Sequence, residues 1–261
     1  MRQPISRSVC IALILIAVAA ATPLLAQTTL MVAAAANLQT AIGEIAARFE
    51  KQGGTHVALV FGSSGNLTTQ IEHGAPYDVF LSADMSYPER LESAGLGTRE
   101  SLRRYAIGKL VLWVKKDSHI DLGRLGERAL FDPAVRKIAI ANPAHAPYGA
   151  AAMAYLKNAN LRDQVNDKLV LGEDVAQTAQ FVMSGNAQIG LIPLSLALAP
   201  KMVETGTHYT LENAPTVEQG AIVVSKTANK SAAMAFLEFI GSPDAVAILQ
   251  RYGYAVPEAK R

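Results

Sequence analysis

Only one cysteine, Cys10, occurs in this 261-residue chain, which rules out an internal disulfide and any cysteine-based metal site. Basic runs are missing too. Arg103-Arg104 and Lys115-Lys116 are isolated pairs, too short to make the face that a nucleic acid or an anionic membrane requires. The sequence contains no H-E-x-x-H motif and no calcium loop. Asp78 and Asp84 stand alone as cation ligands, and Asp84 reads as the cap of the helix that follows it. No G-x-S-x-G elbow frames Ser63 or Ser64, and the histidines (His56, His73, His119, His145 and His208) are scattered, so neither serine has a base aimed at it. Adjacent tyrosines suited to iron are also lacking, since Tyr105, Tyr252 and Tyr254 read as core or tail residues. Hydrolysis and direct metal coordination are set aside on these grounds.

What is present begins with an export leader, residues 1–26. Arg2 and Arg7 form a basic start, residues 9–21 are an apolar run too short to serve as an anchor, and Ala26 is a small residue suited to cleavage before Gln27. Cys10 lies inside the apolar run and not at the cleavage point, which argues against a lipid anchor. Cleavage removes two of the 24 Lys and Arg residues and none of the 22 Asp and Glu, so the mature chain is close to neutral. Half of the residues are apolar, enough for one large domain or for two lobes that each bury a core.

Apolar runs and turn residues then alternate. Residues 29–35 read as a buried strand, and Asn37 as the N-cap of a helix whose inner face is Leu38, Ala41, Ile42, Ile45 and Phe49. Residues 56–61 form a second strand, Gly62-Ser63-Ser64-Gly65 a turn, Leu67 and Ile71 a short helix, and residues 77–81 a third strand. Such alternation predicts an α/β fold built on parallel-rich sheets with helices on their faces. Residues 105–116 read as one long strand crossing into a second lobe, followed by a polar, loop-rich stretch at 121–135. Strands at 137–141, 168–171 and 188–192, with helices at 148–158 and from Val175, repeat the design. Residues 220–224 read as the strand that returns to the first lobe, and two amphipathic helices close the chain. The predicted organisation is residues 27–107 with 217–261 in one lobe and 108–216 in the other.

Turns at Ala36-Asn37, Ser63-Ser64, Pro147-Tyr148-Gly149 and Asp174-Val175 all fall where a strand ends and a helix begins. Helix starts carry N–H groups without internal partners and about half a positive charge, so several facing one cleft make an anion cradle without a lysine or arginine. Asn, Ser and Asp are also ordinary capping residues, and every α/β domain has several helix starts. The residues by themselves leave both readings open. Glu173 and Asp174 add a condition: their carboxylates must point outward or bind their own helix amides if an anion is to sit nearby.

The ordered set Ala33-Ala34-Ala35-Ala36-Asn37-Leu38, Phe61-Gly62-Ser63-Ser64-Gly65, the stretch from Gly74 to Asp84, the stretch from Asn142 to Gly149, and Gly172-Glu173-Asp174-Val175 resembles the molybdate-binding proteins of ABC transporters over nearly the whole mature chain. The resemblance implies a bilobal, type II solute-binding protein of the periplasm. Its lobes close on molybdate or tungstate with no cofactor and no enzymatic activity, and it docks as a monomer with a membrane permease and its ATPase. It implies ligand contacts at Asn37 and Ser64 in the first lobe and at the amides of Tyr148 and Val175 in the second. Asn37 stands where many members have serine, and its side-chain amide is expected to donate to the oxyanion. Pro193 stands where some members have a tyrosine whose hydroxyl completes the shell. Proline offers neither a hydroxyl nor an N–H, so that bond is missing or comes from Ser63 or Ser195. Sulfate, thiosulfate or phosphate is the alternative cargo. A cage of donors alone rejects protonated phosphate, whereas sulfate is separated only by cavity size.

Overall fold

The computed structural model describes residues 29–53 and 55–257; the leader read at residues 1–26, with Cys10, lies outside them. The strands are β1 (Thr29–Ala35), β2 (His56–Gly62), β3 (Val79–Ser82), β4 (Arg103–Gly108), β5 (Leu110–Lys115), β6 (Ile138–Ala141), β7 (Leu169–Gly172), β8 (Ile189–Pro193), β9 (Gly206–Thr210) and β10 (Val217–Val223). They form two five-stranded sheets in the orders β2-β1-β3-β10-β4 and β7-β6-β8-β5-β9. Both sheets are mixed. In the first, β1 is parallel to β2 and β3, and β10 is antiparallel to β3 and β4. In the second, β6 is parallel to β7 and β8, and β5 is antiparallel to β8 and β9.

The helices are α1 (Gln39–Gly53), α2 (Ser64–Glu72), α3 (Ser86–Ser93), α4 (Leu122–Leu125), α5 (Pro147–Asn158), α6 (Arg162–Val165), α7 (Val175–Met183), α8 (Leu194–Ala197), α9 (Pro200–Thr205), α10 (Lys230–Ile240) and α11 (Pro243–Arg251). Period-two alternation in the strands decides which helices cover which face. Leu30, Val32 and Ala34 of β1, with Val79 and Leu81 of β3, pack under α1, α10 and α11. Ala33, Phe80 and Ile222 point the other way, against Leu67, Ile71 and Leu91 of α2 and α3. The second lobe has its own core around Trp113, Ile140, Tyr155 and Ile192.

Four local expectations need correction. The run 105–116 is two strands: the chain leaves the first sheet at Gly108 and enters the second at Leu110, and the Lys109 carbonyl between them accepts from the Leu194 N–H at 2.9 Å. Asn37 does not cap a helix. It lies inside a 3-10 turn, Ala36–Leu38, that precedes α1 and has Ala35 as its cap. Residues 121–135 hold α4 and a 3-10 segment, Gly126–Phe131, anchored by buried Leu122, Ala129 and Leu130. The edge strand β9 was not anticipated, because only Gly206 within it is buried and so no apolar pattern marks it.

Candidate functional site

The carboxyl ends of β1, β2, β6 and β7 each run into a helical turn, and those turns meet between the two sheets. The hollow there is lined by Ala35, Ala36, Asn37, Gly62, Ser63, Ser64, Ala83, Ala146, Pro147, Tyr148, Asp174 and Val175. The space in it for a water-sized centre is about 10 Å³, far below the roughly 300–1,000 Å³ of a pocket for a drug-sized ligand, so a sugar, peptide or nucleotide is too large. Among these lining residues there is no lysine, arginine or histidine. Larger hollows exist elsewhere. In one, at the amino ends of the first lobe's strands, the carboxylate of Asp78 is already bonded to the Met31 N–H at 2.7 Å and to the side chains of Thr227 and Asn229.

How the helix starts are capped decides what the hollow offers. At α2 the Ser63 hydroxyl accepts from the Asn66 N–H at 3.4 Å, reaching past the first residue of the helix. The Ser64 N–H has no intrahelical acceptor at that position. Ser64 is fully buried, and its Oγ accepts from the Ala83 N–H at 2.9 Å, which leaves the hydroxyl hydrogen as a further donor. At α5 the first residue is Pro147, which has no N–H, and the cap residue Ala146 has no side-chain acceptor, so the Tyr148 N–H is the first amide presented. Gly149 makes that approach possible: a Cβ there would lie 2.1 Å from the Ala141 carbonyl oxygen. At α7 a single oxygen of Asp174 accepts from the Ala176 and Gln177 N–H groups, both at 2.9 Å, and the Val175 N–H is passed over. Capping and presentation of amides therefore coexist at the same turns. The acidic side chains meet the condition set above, since Asp174 binds its own helix and Glu173 reaches outward to Asn66.

Asn37, Ser63, Ser64, Tyr148 and Val175 thus surround one hollow, but the side chain of Asn37 does not face it. Its Nδ2 donates to Gln219 Oε1 at 2.9 Å and to the Tyr254 hydroxyl at 2.7 Å, which uses both hydrogens and leaves the side chain no donor for the hollow. Pro193 is not among the lining residues; it ends β8 opposite Leu110. Of the two serines suggested in its place, Ser63 lines the hollow and Ser195 does not. The Ser195 hydroxyl donates to the Asn37 carbonyl at 2.9 Å, and the Ser63 hydroxyl sits 3.0 Å from His145 Nδ1.

Behind the hollow lies a polar network that the sequence reading missed. Gln219, fully buried at a register shift in β10, accepts from Asn37 and donates through Nε2 to the Tyr148 hydroxyl at 3.1 Å, tying one lobe to the other. The Tyr254 hydroxyl lies 3.0 Å from both the Asn37 carbonyl and Ser195 Oγ. Burial, reinforced by Tyr254, pushes the hydroxyls of Tyr105 and Tyr148 well above the ordinary tyrosine value, so both stay neutral beside the hollow. A signal for Gln219 was available: Gln-Gly inside a strand pattern suggests a bulge that re-aims a side chain.

Two mixed sheets with helix starts converging on a small interlobe hollow define the class: this is a bilobal solute-binding protein of the type II fold. A family model for bacterial extracellular solute-binding proteins matches residues 30–255, and the chain belongs to that family and, by its relatives, to the ModA branch of it. One relative is the molybdate-binding protein ModA of Azotobacter vinelandii, 36% identical over 228 residues, 86% of this chain and 89% of that protein. The solved structure of the A. vinelandii periplasmic molybdate-binding protein superimposes with a TM-score of 0.82 at 35% identity, covering 88% of this chain and all of the other. The Mycobacterium tuberculosis sulfate-binding protein SubI, at 16% identity, covers 88% of each chain with a TM-score of 0.75 and shares the fold alone.

Proposed function

We propose that this chain is the extracytoplasmic binding component of a molybdate ABC importer, and that it takes tungstate in the same way. The observation that carries the reading is the donor set. Asn37, Ser64, Tyr148 and Val175 line one small hollow with no basic side chain among its lining residues. The capping pattern passes over the N–H groups of Ser64, Tyr148 and Val175 and leaves the Ser64 hydroxyl hydrogen free, which supports reading them as the donors to an anion. A fully ionised tetrahedral dianion accepts hydrogen bonds on every oxygen and donates none, so such a shell replaces its water with dipoles already fixed in place. The names of relatives in the same family support molybdate in particular. On this reading residues 1–26 direct export to the periplasm, the loaded protein is a monomer that docks with a membrane permease and its ATPase, and no cofactor takes part.

Calorimetry with molybdate, tungstate, sulfate and phosphate tests the proposal. The expected result is one molybdate per chain, tungstate close behind, and sulfate and phosphate much weaker. Sulfate binding more tightly than molybdate would transfer the protein to another oxyanion while leaving the site intact.

A further inference from the structure

The rim of the hollow carries contacts between the lobes made mostly by residues outside its lining. On the first lobe they come from the first turn of α2; on the second, from the loop before α5 and the turn before α7. The Gly65 N–H donates to the His145 carbonyl at 2.9 Å, and Asn66 Nδ2 donates to Glu173 Oε1 at 2.5 Å. His145 places Nδ1 3.0 Å from Ser63 Oγ and Nε2 3.6 Å from Glu173 Oε1. Of these residues only Ser63 lines the hollow.

We infer that Gly65, Asn66, His145 and Glu173 form a clasp that sets the affinity for the ligand without contacting it. The inference rests on the binding function proposed above. The bonds of Gly65, Asn66 and Ser63 each join one lobe to the other, so they exist only while the lobes are together, whereas the His145–Glu173 pair lies within the second lobe and holds those two residues side by side. Apparent affinity is the intrinsic affinity of the closed form multiplied by the population of that form, so whatever stabilises closure tightens binding. Gly65 is the most constrained member. A Cβ on it would lie 2.8 Å from His145 Cβ, 2.9 Å from its Cα and 2.9 Å from its carbonyl oxygen, against the 3.4 Å at which ordinary contact begins. All three obstructing atoms belong to the opposite lobe, and none is the end of a flexible side chain. Within its own helix the position accepts alanine, since Gly65 does not have positive φ and alanine is the better helix former. Gly65→Ala therefore spares the separate lobes and obstructs only their meeting.

The clasp residues are positioning residues, and they are separable from structural ones by measuring affinity, unliganded stability and compaction together. In Gly65→Ala the unliganded melting temperature is expected to stay at the wild-type value, the molybdate Kd to rise at least tenfold, and the decrease in radius of gyration on adding molybdate, seen by small-angle scattering, to shrink. Asn66→Ala and Glu173→Ala, which remove one hydrogen bond between them, are each expected to raise Kd by roughly three- to tenfold, and the double variant no further than the worse single one. A wild-type protein that binds none of the oxyanions would overturn the functional reading and the clasp with it. A wild type that binds molybdate, with Gly65→Ala binding and compacting equally well or the Asn66 and Glu173 effects multiplying, would overturn the clasp alone.

Discussion

Replacing Ser64 with alanine separates two roles that one oxygen fills. In the folded protein Ser64 Oγ accepts from the Ala83 N–H at 2.9 Å, and on the proposed binding mode its hydrogen goes to the ligand. Loss of the hydroxyl as a donor removes a hydrogen bond to a charged group, worth about 1.5–3 kcal/mol. That predicts a Kd for molybdate about 10- to 150-fold higher. Loss of the same oxygen as an acceptor orphans the N–H of a residue only 2% exposed, costing roughly 1–3 kcal/mol whether or not ligand is present. For a chain of this size each kcal/mol lowers the melting temperature by about 2–4 °C. The unliganded Ser64→Ala protein should therefore melt several degrees lower, and saturating molybdate should raise its melting temperature less than it raises that of the wild type. Isothermal calorimetry supplies the first number and differential scanning calorimetry the second. A lowered unliganded melting temperature with an unchanged Kd would refute the reasoning, because Ser64 would then only support the turn at Ala83.

Asn37→Ser should show the opposite balance. It removes the donor on which Gln219 Oε1 and the Tyr254 hydroxyl rely but keeps the backbone N–H at the hollow, so urea unfolding should report a loss of roughly 1–3 kcal/mol while calorimetry finds a smaller affinity change than in Ser64→Ala. Alkaline pH should act on the network as a whole. Burial holds the hydroxyls of Tyr105, Tyr148 and Tyr254 above the ordinary value of 10.0, so above that pH the unfolded chain loses protons that the native state keeps, and stability falls as pH rises. Urea midpoints followed from neutrality should begin to fall near pH 10, with tyrosinate absorbance from these residues appearing with unfolding and not before it.

Much of this was legible in the chain. Small-residue turns at the ends of apolar runs located the helix starts at Ser64, Tyr148 and Val175, because capping chemistry and strand burial both act within a few residues. The direction of the Asn37 amide was not legible. Its partners Gln219 and Tyr254 lie 182 and 217 positions away, and nothing next to Asn37 distinguishes an amide aimed at solvent from one aimed into a buried network. The same limit applied to Pro193, whose place in a known pattern said nothing about whether it reached the hollow in this chain. The break at Lys109 was hidden for a different reason: apolar residues on both sides continue one strand-like run, and only the sheets they join tell them apart.

If the ion sits in this hollow as proposed, a lining with no lysine or arginine also bears on how it leaves. When the halves of the shell part, no counter-charge must be torn from the cargo. Each amide goes back to water one at a time, and each such exchange is small because water makes nearly the same bond. A tight grip assembled from many weak holds can thus be undone by a modest opening, and a delivery protein that must surrender its load at the membrane requires that property.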